Sequence, residues 1–192
     1  MLDRGIDFAL VRHGESTGNI GGRVLGHELG PELTTLGRTQ ARGAAHGLTR
    51  WHADMLWSSD MVRARSTAQE IAQTTRLPLN CTALLREQDH GAMDGLPVGD
   101  LVAQPTPAGR EITEVRWGGG ESIADVYARL RLFVMMVAAR GARRVVVVGH
   151  GDMACAFTSM LAGLGHRDVA WDRLAHGQVR YLGWDGRALL PS

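Results

Sequence analysis

Arg12-His13-Gly14-Glu15 follows directly on the apolar run Phe8-Ala9-Leu10-Val11. A permanent cation beside an imidazole suits an anion, and the imidazole can serve as nucleophile, base or metal ligand. A second histidine has the same setting: four valines at 145–148 run into Gly149-His150-Gly151. Two more apolar runs lead to side chains that can do chemistry. Met55-Leu56-Trp57 precedes Ser58-Ser59-Asp60 and then Arg63, and the run over 79–84 precedes Arg86-Glu87. Singly, each has a bland reading: a histidine that only packs, an arginine on a solvated helix face, a surface glutamate. Jointly His13, His150, Arg12, Arg63 and Glu87 supply two imidazoles, two guanidinium groups and a carboxyl, provided that all four runs end at one edge of one sheet.

The elements that must position them alternate along the chain. The run over 8–11 is too short for a helix and reads as a buried strand. A helix is expected over 36–48, capped by Thr34 or Thr35. A short strand over 55–57 leads into a helix over 61–75, capped by Ser59 or Asp60 and closed before Pro78. A strand follows over 79–84. Ser122 and Asp125 form a capping box ahead of a helix over 123–140, whose apolar residues recur at helical spacing. The four valines have the composition of a strand buried on both faces. A helix over 153–164 and a late strand over 179–184, with a turn at Asp185-Gly186, complete the order.

Strands interleaved with helices predict an α/β fold: a single three-layer domain over 1–192, with a mainly parallel sheet flanked by helices. In such sheets ligands bind at the carboxyl ends of the strands, where the four sets of residues stand. The stretch over 91–120 is irregular and rich in Gly and Pro. A loop that long is more often functional than idle, and it reads as a substrate-facing lid.

Composition narrows the partners. Of 192 residues, 44% are hydrophobic and 21% charged, ordinary for a chain that buries a core. Twenty-one basic and 20 acidic residues leave a net charge of +1, which gives no electrostatic case for nucleic acid or an anionic membrane. Every basic residue is arginine, a planar fork suited to oxyanions, so lysine Schiff-base chemistry is excluded. Cys81 and Cys155 are isolated and read as small core residues, with no Cys-x-x-Cys pair to hold zinc. Met1-Leu2-Asp3-Arg4-Gly5 shows no secretory pattern, and no apolar run nears the ~20 residues that span a bilayer. The expectation is a cytoplasmic protein.

Six segments resemble the histidine phosphatase superfamily, which includes cofactor-dependent phosphoglycerate mutases and many small-molecule phosphatases. They are Arg12-His13-Gly14-Glu15-Ser16-x-x-Asn19; Leu33-Thr34-x-x-Gly37-x-x-Gln40-Ala41; Ser58-Ser59-Asp60-Met61-x-Arg63-Ala64-x-x-Thr67-Ala68; Leu85-Arg86-Glu87-x-x-x-Gly91-x-x-Asp94-Gly95; Gly119-Gly120-Glu121-Ser122; and Val148-Gly149-His150-Gly151. They occur in the family's order. The resemblance implies a phosphoglycerate mutase-like fold with His13 as the nucleophile that accepts the phosphoryl group. It implies that Arg12, Arg63 and His150 surround the phosphoryl oxygens. Glu87 is implied as the acid that protonates the leaving oxygen and then activates water. Asn19, Arg23, Gly26 and Gly151 are implied as substrate contacts, and Glu15 is expected to support the loop or to position the site. No metal or cofactor is needed, since the arginines supply the cations and would repel a metal from His13 and His150. The substrate is a small phosphorylated molecule, and a homodimer is common in the family.

Two features favour the phosphatases. The segment after Glu87 lacks the long insertion of the mutases, and Gly95-Leu96-Pro97-Val98 stands where mutases carry Gly-Leu-Asn-Lys. Asn19-x-x-x-Arg23-x-x-Gly26 is shared with the mutases. The reading is a metal-independent phosphomonoesterase, with a mutase or a non-catalytic phospho-ligand-binding domain as the alternatives. Selectivity is expected from Arg23, His27, Arg116 and the 91–120 segment, with His90 either at the substrate or on the surface.

Overall fold

A computed structural model describes residues 5–187; Met1–Arg4, where the sequence shows no secretory pattern, lie outside the described residues. The elements are β1 (Ile6–Arg12), α1 (Thr17–Ile20), α2 (Thr35–Leu48), β2 (Met55–Ser59), α3 (Val62–Thr75), β3 (Leu79–Thr82), α4 (Ile123–Ala139), β4 (Arg144–Gly149), α5 (Gly151–Leu161) and β5 (Val179–Trp184). The five strands form one sheet in the order β3-β2-β4-β1-β5. β5 alone among them runs antiparallel to its neighbour. This is the expected single α/β domain with a mostly parallel sheet between helical layers.

The period of two along the central strands divides the core. Phe8, Leu10, Val145 and Val147 face α4 and α5. Ala9, Val11, Val146 and Val148 face α2 and α3, which answer with Ala44, Ala45, Ala64 and Ala68. Small residues on that side let two helices lie close to the sheet. On the other side Phe157 meets Phe8 edge-on, with ring centroids 5.2 Å apart, and Phe133 at 6.2 Å. Phe157→Ala should therefore cost about 3–5 kcal/mol by urea unfolding; a cost below about 1 kcal/mol contradicts this packing.

Local differences from the sequence reading have physical causes. The N-cap of α3 is Met61, and the Ser59 hydroxyl accepts the Met61 N–H. Asp60 is thereby left for a two-bond ion pair with Arg86, at 2.8 and 2.6 Å. β3 stops at Thr82, whose hydroxyl accepts the Leu84 N–H and starts a 3-10 turn over Ala83–Leu85. α5 begins at Gly151 rather than 153 and ends at Leu161. Cys155 is buried as expected, but Cys81 is exposed, because β3 lies at the sheet's edge.

The 91–120 segment is a series of 3-10 turns stitched to the body. Val24 accepts from the Gly95 N–H and donates to the Leu96 carbonyl, and Glu114 binds His166 and Arg167. Gly91 and Gly118 adopt φ of +54° and +56° with their backbones in contact, an approach that a Cβ on either would block. Among the described residues no helix is long and apolar enough to cross a membrane.

Candidate active site

Parallel pairing of β1 with β4 sets Arg12 opposite Gly149, so the next residues, His13 and His150, emerge side by side. The His13 N–H donates to the Gly149 carbonyl at 2.9 Å, and the two rings lie 5.1 Å apart. His13 is only 3% exposed. Its Nδ1 lies 2.7 Å from the Gly14 carbonyl. A carbonyl only accepts, so Nδ1 carries the hydrogen and Nε2 keeps a free lone pair. Burial first, and then the charge of Arg63, hold the pKa of His13 well below 6.5. Burial and Arg63 do the same to His150. Both rings are therefore neutral at pH 7.

The turn that carries His13 is fixed by backbone contact. Gly14 and Gly37 touch so closely that a Cβ on Gly14 would run into the Gly37 carbonyl. The Gly14 N–H donates to Thr67 at 3.1 Å, and the Glu15 carboxylate accepts from Thr34 at 2.8 Å. Glu15 thus braces the loop, the first of the two roles expected of it.

Arg12 and Arg63 converge on this point from β1 and α3. Arg63 is 1% exposed. It donates to the carbonyls of Glu28 (2.6 Å) and Gly26 (3.0 Å), and Arg12 donates to the carbonyl of Leu174 (2.7 Å). These partners are neutral, so the hydrogen bonds orient both guanidinium groups without cancelling their charge. Four buried nitrogens here have no partner: Nε of Arg12, Nε of Arg63 and both ring nitrogens of His150. Buried polar groups left unpaired are costly and uncommon. A tetrahedral oxyanion beside His13 would accept from three of them: the two arginine Nε–H groups and the single N–H of a neutral His150.

Glu87 is carried onto the same sheet end by the turn after β3. Its Oε1 accepts from Met153 N–H (2.9 Å) and Gln88 N–H (3.1 Å), and its Oε2 from Asp152 N–H (3.2 Å). Two donors occupy Oε1; one lone pair remains on Oε2. The carboxylate thereby caps the first turn of α5 from outside, which is why that helix starts two residues earlier than local sequence indicates. The Glu87 carbonyl accepts from His27 Nε2 (2.9 Å) and Arg129 (3.0 Å).

A cavity of about 440 Å³ opens above these groups. Arg12, His13, Asn19, Arg23, Gly26, Arg63, Glu87 and Gly151 all line it. His150 lies behind it, against His13. Asn19 accepts from the Ser16 N–H and hydroxyl through Oδ1. Arg23 donates to the Gly95 carbonyl at 2.6 Å. A Cβ on Gly151 would come 3.6 Å from both the Arg12 guanidinium and Glu87 Oε2, an ordinary contact distance. His90 lines the cavity, as do Val98, Leu101, Ile112 and Trp117 of the 91–120 segment.

Arg116 and His27 depart from expectation. Arg116 is paired with Asp125 at 2.8 Å outside this cavity, and His27 turns its ring to the Glu87 carbonyl. The sequence reading also missed residues. Asp152, Trp171 and Arg173 line the cavity. His176 donates to the His13 carbonyl at 3.0 Å, with its ring 5.2 Å from that of His13. Three of these four stand in the irregular segment before β5, where no spacing marks them. Asp152 was in view, next but one to His150. Among the described residues no group of three or more His, Cys, Asp or Glu is arranged to hold a metal ion.

Known proteins share this arrangement of the chain. The pattern described as histidine phosphatase superfamily (branch 1) matches residues 8–189. Phosphoserine phosphatase 1 of Hydrogenobacter thermophilus is 37% identical over 147 residues, covering 74% of this chain and 69% of its own length. Glucosyl-3-phosphoglycerate phosphatase of Mycobacterium tuberculosis is 36% identical over 189 residues, covering 88% and 84%. The native structure of the mycobacterial glucosyl-3-phosphoglycerate phosphatase superposes with a TM-score of 0.82 at 32% identity, covering 94% of this chain and 91% of that one. The strand-end histidines, the fold and these matches agree: the chain belongs to branch 1 of the histidine phosphatase superfamily.

Proposed function

We propose that this protein is a metal-independent phosphomonoesterase that hydrolyses a small phosphorylated metabolite through a phosphohistidine on His13. The observation that carries the reading is the set of buried, unpartnered nitrogens of Arg12, Arg63 and His150 around a neutral imidazole whose Nε2 is free. Names of the relatives, phosphatases of small phosphate esters, support the same class.

In this reading Nε2 of His13 attacks phosphorus in line as the bond to the alcohol oxygen breaks. Glu87 Oε2 gives its proton to that oxygen. Arg12, Arg63 and a ring nitrogen of His150 hold the equatorial oxygens, where charge resides in phosphoryl transfer. Asn19, Arg23, Gly26 and Gly151 contact the substrate, and the 91–120 segment forms its roof. Water then attacks phosphorus and loses its proton to Glu87. The P–N bond breaks, its electron pair returns to Nε2, and phosphate leaves. The Gly14 carbonyl, bonded to Nδ1–H, holds the ring and stabilises the charge that phosphorylation places on it.

Guanidinium groups supply the positive charge, so the purified protein should hydrolyse nitrophenyl phosphate equally well with and without a chelator. Chelator inhibition reversed by a divalent ion would replace this reading with a metal site on His13 and His150. With 3-phosphoglycerate primed by bisphosphoglycerate, isomerisation faster than phosphate release would make the protein a mutase.

A further inference from the structure

Two carboxyls line the cavity. The second is Asp152, which the mechanism above does not use. It stands in the first turn of α5, and its N–H donates to Glu87 Oε2, so the backbone of one acid holds the carboxylate of the other. The Asp152 side chain is 19% exposed and meets Arg173 at 2.7 Å; the Arg173 side chain is 60% exposed. The charged and titratable groups that act on Asp152 come from every neighbouring segment. They are Glu87 and His90 after β3, Arg173 before β5, Arg12 at the end of β1, and the Cys155 thiol one turn further along α5.

Burial raises the pKa of Asp152 to about 6, and the charge of Glu87 pushes it the same way, while Arg173 and His90 oppose. Two carboxyls on one cavity wall ionise together only at a cost.

We propose that Asp152 is a second acid in the leaving-group proton path: with Glu87 it holds one proton at the cavity wall, delivered to the leaving oxygen through Glu87 Oε2. This rests on the phosphatase reading. As the P–O bond to the alcohol breaks, that oxygen takes the proton and the pair becomes doubly ionised. Arg173 balances the extra charge at this stage. As water attacks and the P–N bond breaks, the proton of water restores the pair. The active form is the protonated one. It is present at low pH and is lost as pH rises through about 6. Arg173 favours the ionised form, so removing it moves the loss to higher pH.

The test measures kcat for glycerol phosphate and for nitrophenyl phosphate, from about pH 5 to about pH 8, with the full-length protein. An alkoxide leaving group needs the proton and nitrophenolate does not, so the ratio of the two isolates the proton path. In the wild type the ratio should fall about tenfold or more across this range. In Asp152→Asn it should already be reduced about tenfold at the acid end and be nearly flat. Asp152→Glu should restore part of the slope, and Arg173→Gln should move the fall to higher pH. A wild-type ratio and pH dependence in Asp152→Asn overturns the proposal. So does an equal loss on both substrates in Asp152→Asn and Arg173→Gln, which marks the bridge as structural. If Asp152→Asn does not fold, the direction in Arg173→Gln decides, and no shift or a shift to lower pH overturns the proposal. Aryl hydrolysis with a flat wild-type ratio overturns this proposal alone. Failure to hydrolyse either ester overturns the phosphatase reading and this proposal with it.

Discussion

His13→Ala should lower turnover of nitrophenyl phosphate by about 10⁴-fold or more while leaving the fold intact. Residues that act as one unit lose nearly the whole rate enhancement when the nucleophile alone is removed. Even an excellent leaving group cannot bypass the step, because the P–N bond forms before water enters. The single side-chain hydrogen bond of His13 goes to the adjacent Gly14 carbonyl, so its loss does not unpick the sheet. Arg12 and Arg63 remain, held by bonds that do not involve the His13 side chain. Inorganic phosphate should therefore still bind the variant within about tenfold of the wild-type affinity, since the guanidinium groups carry that interaction. Calorimetric titration with phosphate, alongside turnover, checks both parts. A variant that turns over within tenfold of the wild type would remove His13 from the chemistry. A variant that binds no phosphate would show that the orphaned nitrogens do not form an anion site.

Glu87→Gln should slow hydrolysis of glycerol phosphate by about 10³-fold and that of nitrophenyl phosphate by about tenfold or less. An amide cannot give up a proton at neutral pH, and only the poor leaving group depends on one. The same substitution also carries a structural cost. Glu87 accepts three backbone N–H groups, two on Oε1 and one on Oε2. Glutamine can replace Oε1, but its NH₂ group would then face the Asp152 N–H, donor against donor. One unsatisfied buried donor costs about 1–3 kcal/mol, and the lost charge at the start of α5 about 0.3–1 kcal/mol more. A lowered Tm together with leaving-group dependence is the expected pair of results. Equal slowing of both esters would move the acid elsewhere, and an unchanged Tm would contradict the capping role.

What sequence could show depended on the range of the interaction. The strand ends carrying His13 and His150 were legible, because a buried parallel strand is a continuous apolar run and its last residue announces the turn. Arg63 and Glu87 were legible only jointly, through the common sheet edge. The start of α5 was not: its cap is the carboxylate of Glu87, 66 residues away in sequence, and α5 lacks a capping side chain of its own. Exposure of Cys81 follows from the order β3-β2-β4-β1-β5, a long-range pairing that alternation within one strand does not encode. Trp171, Arg173 and His176 reach the site from a segment with almost no regular structure, held by Arg12, Asp152 and the backbone of His13. Arg116 failed in the opposite way. Its position within the 91–120 segment pointed to substrate, while an acid nine residues on, Asp125, takes its charge.

The central claim is covalent transfer to His13, and trapping that intermediate tests it most directly. Turnover of a radiolabelled phosphate ester, stopped with alkali and mapped by peptide, should leave label on the peptide containing His13. The label should be stable to base and released by acid, as a phosphoramidate is, and absent from His13→Ala. Label on another residue, label that survives acid, or active turnover with no trapped label would contradict the account.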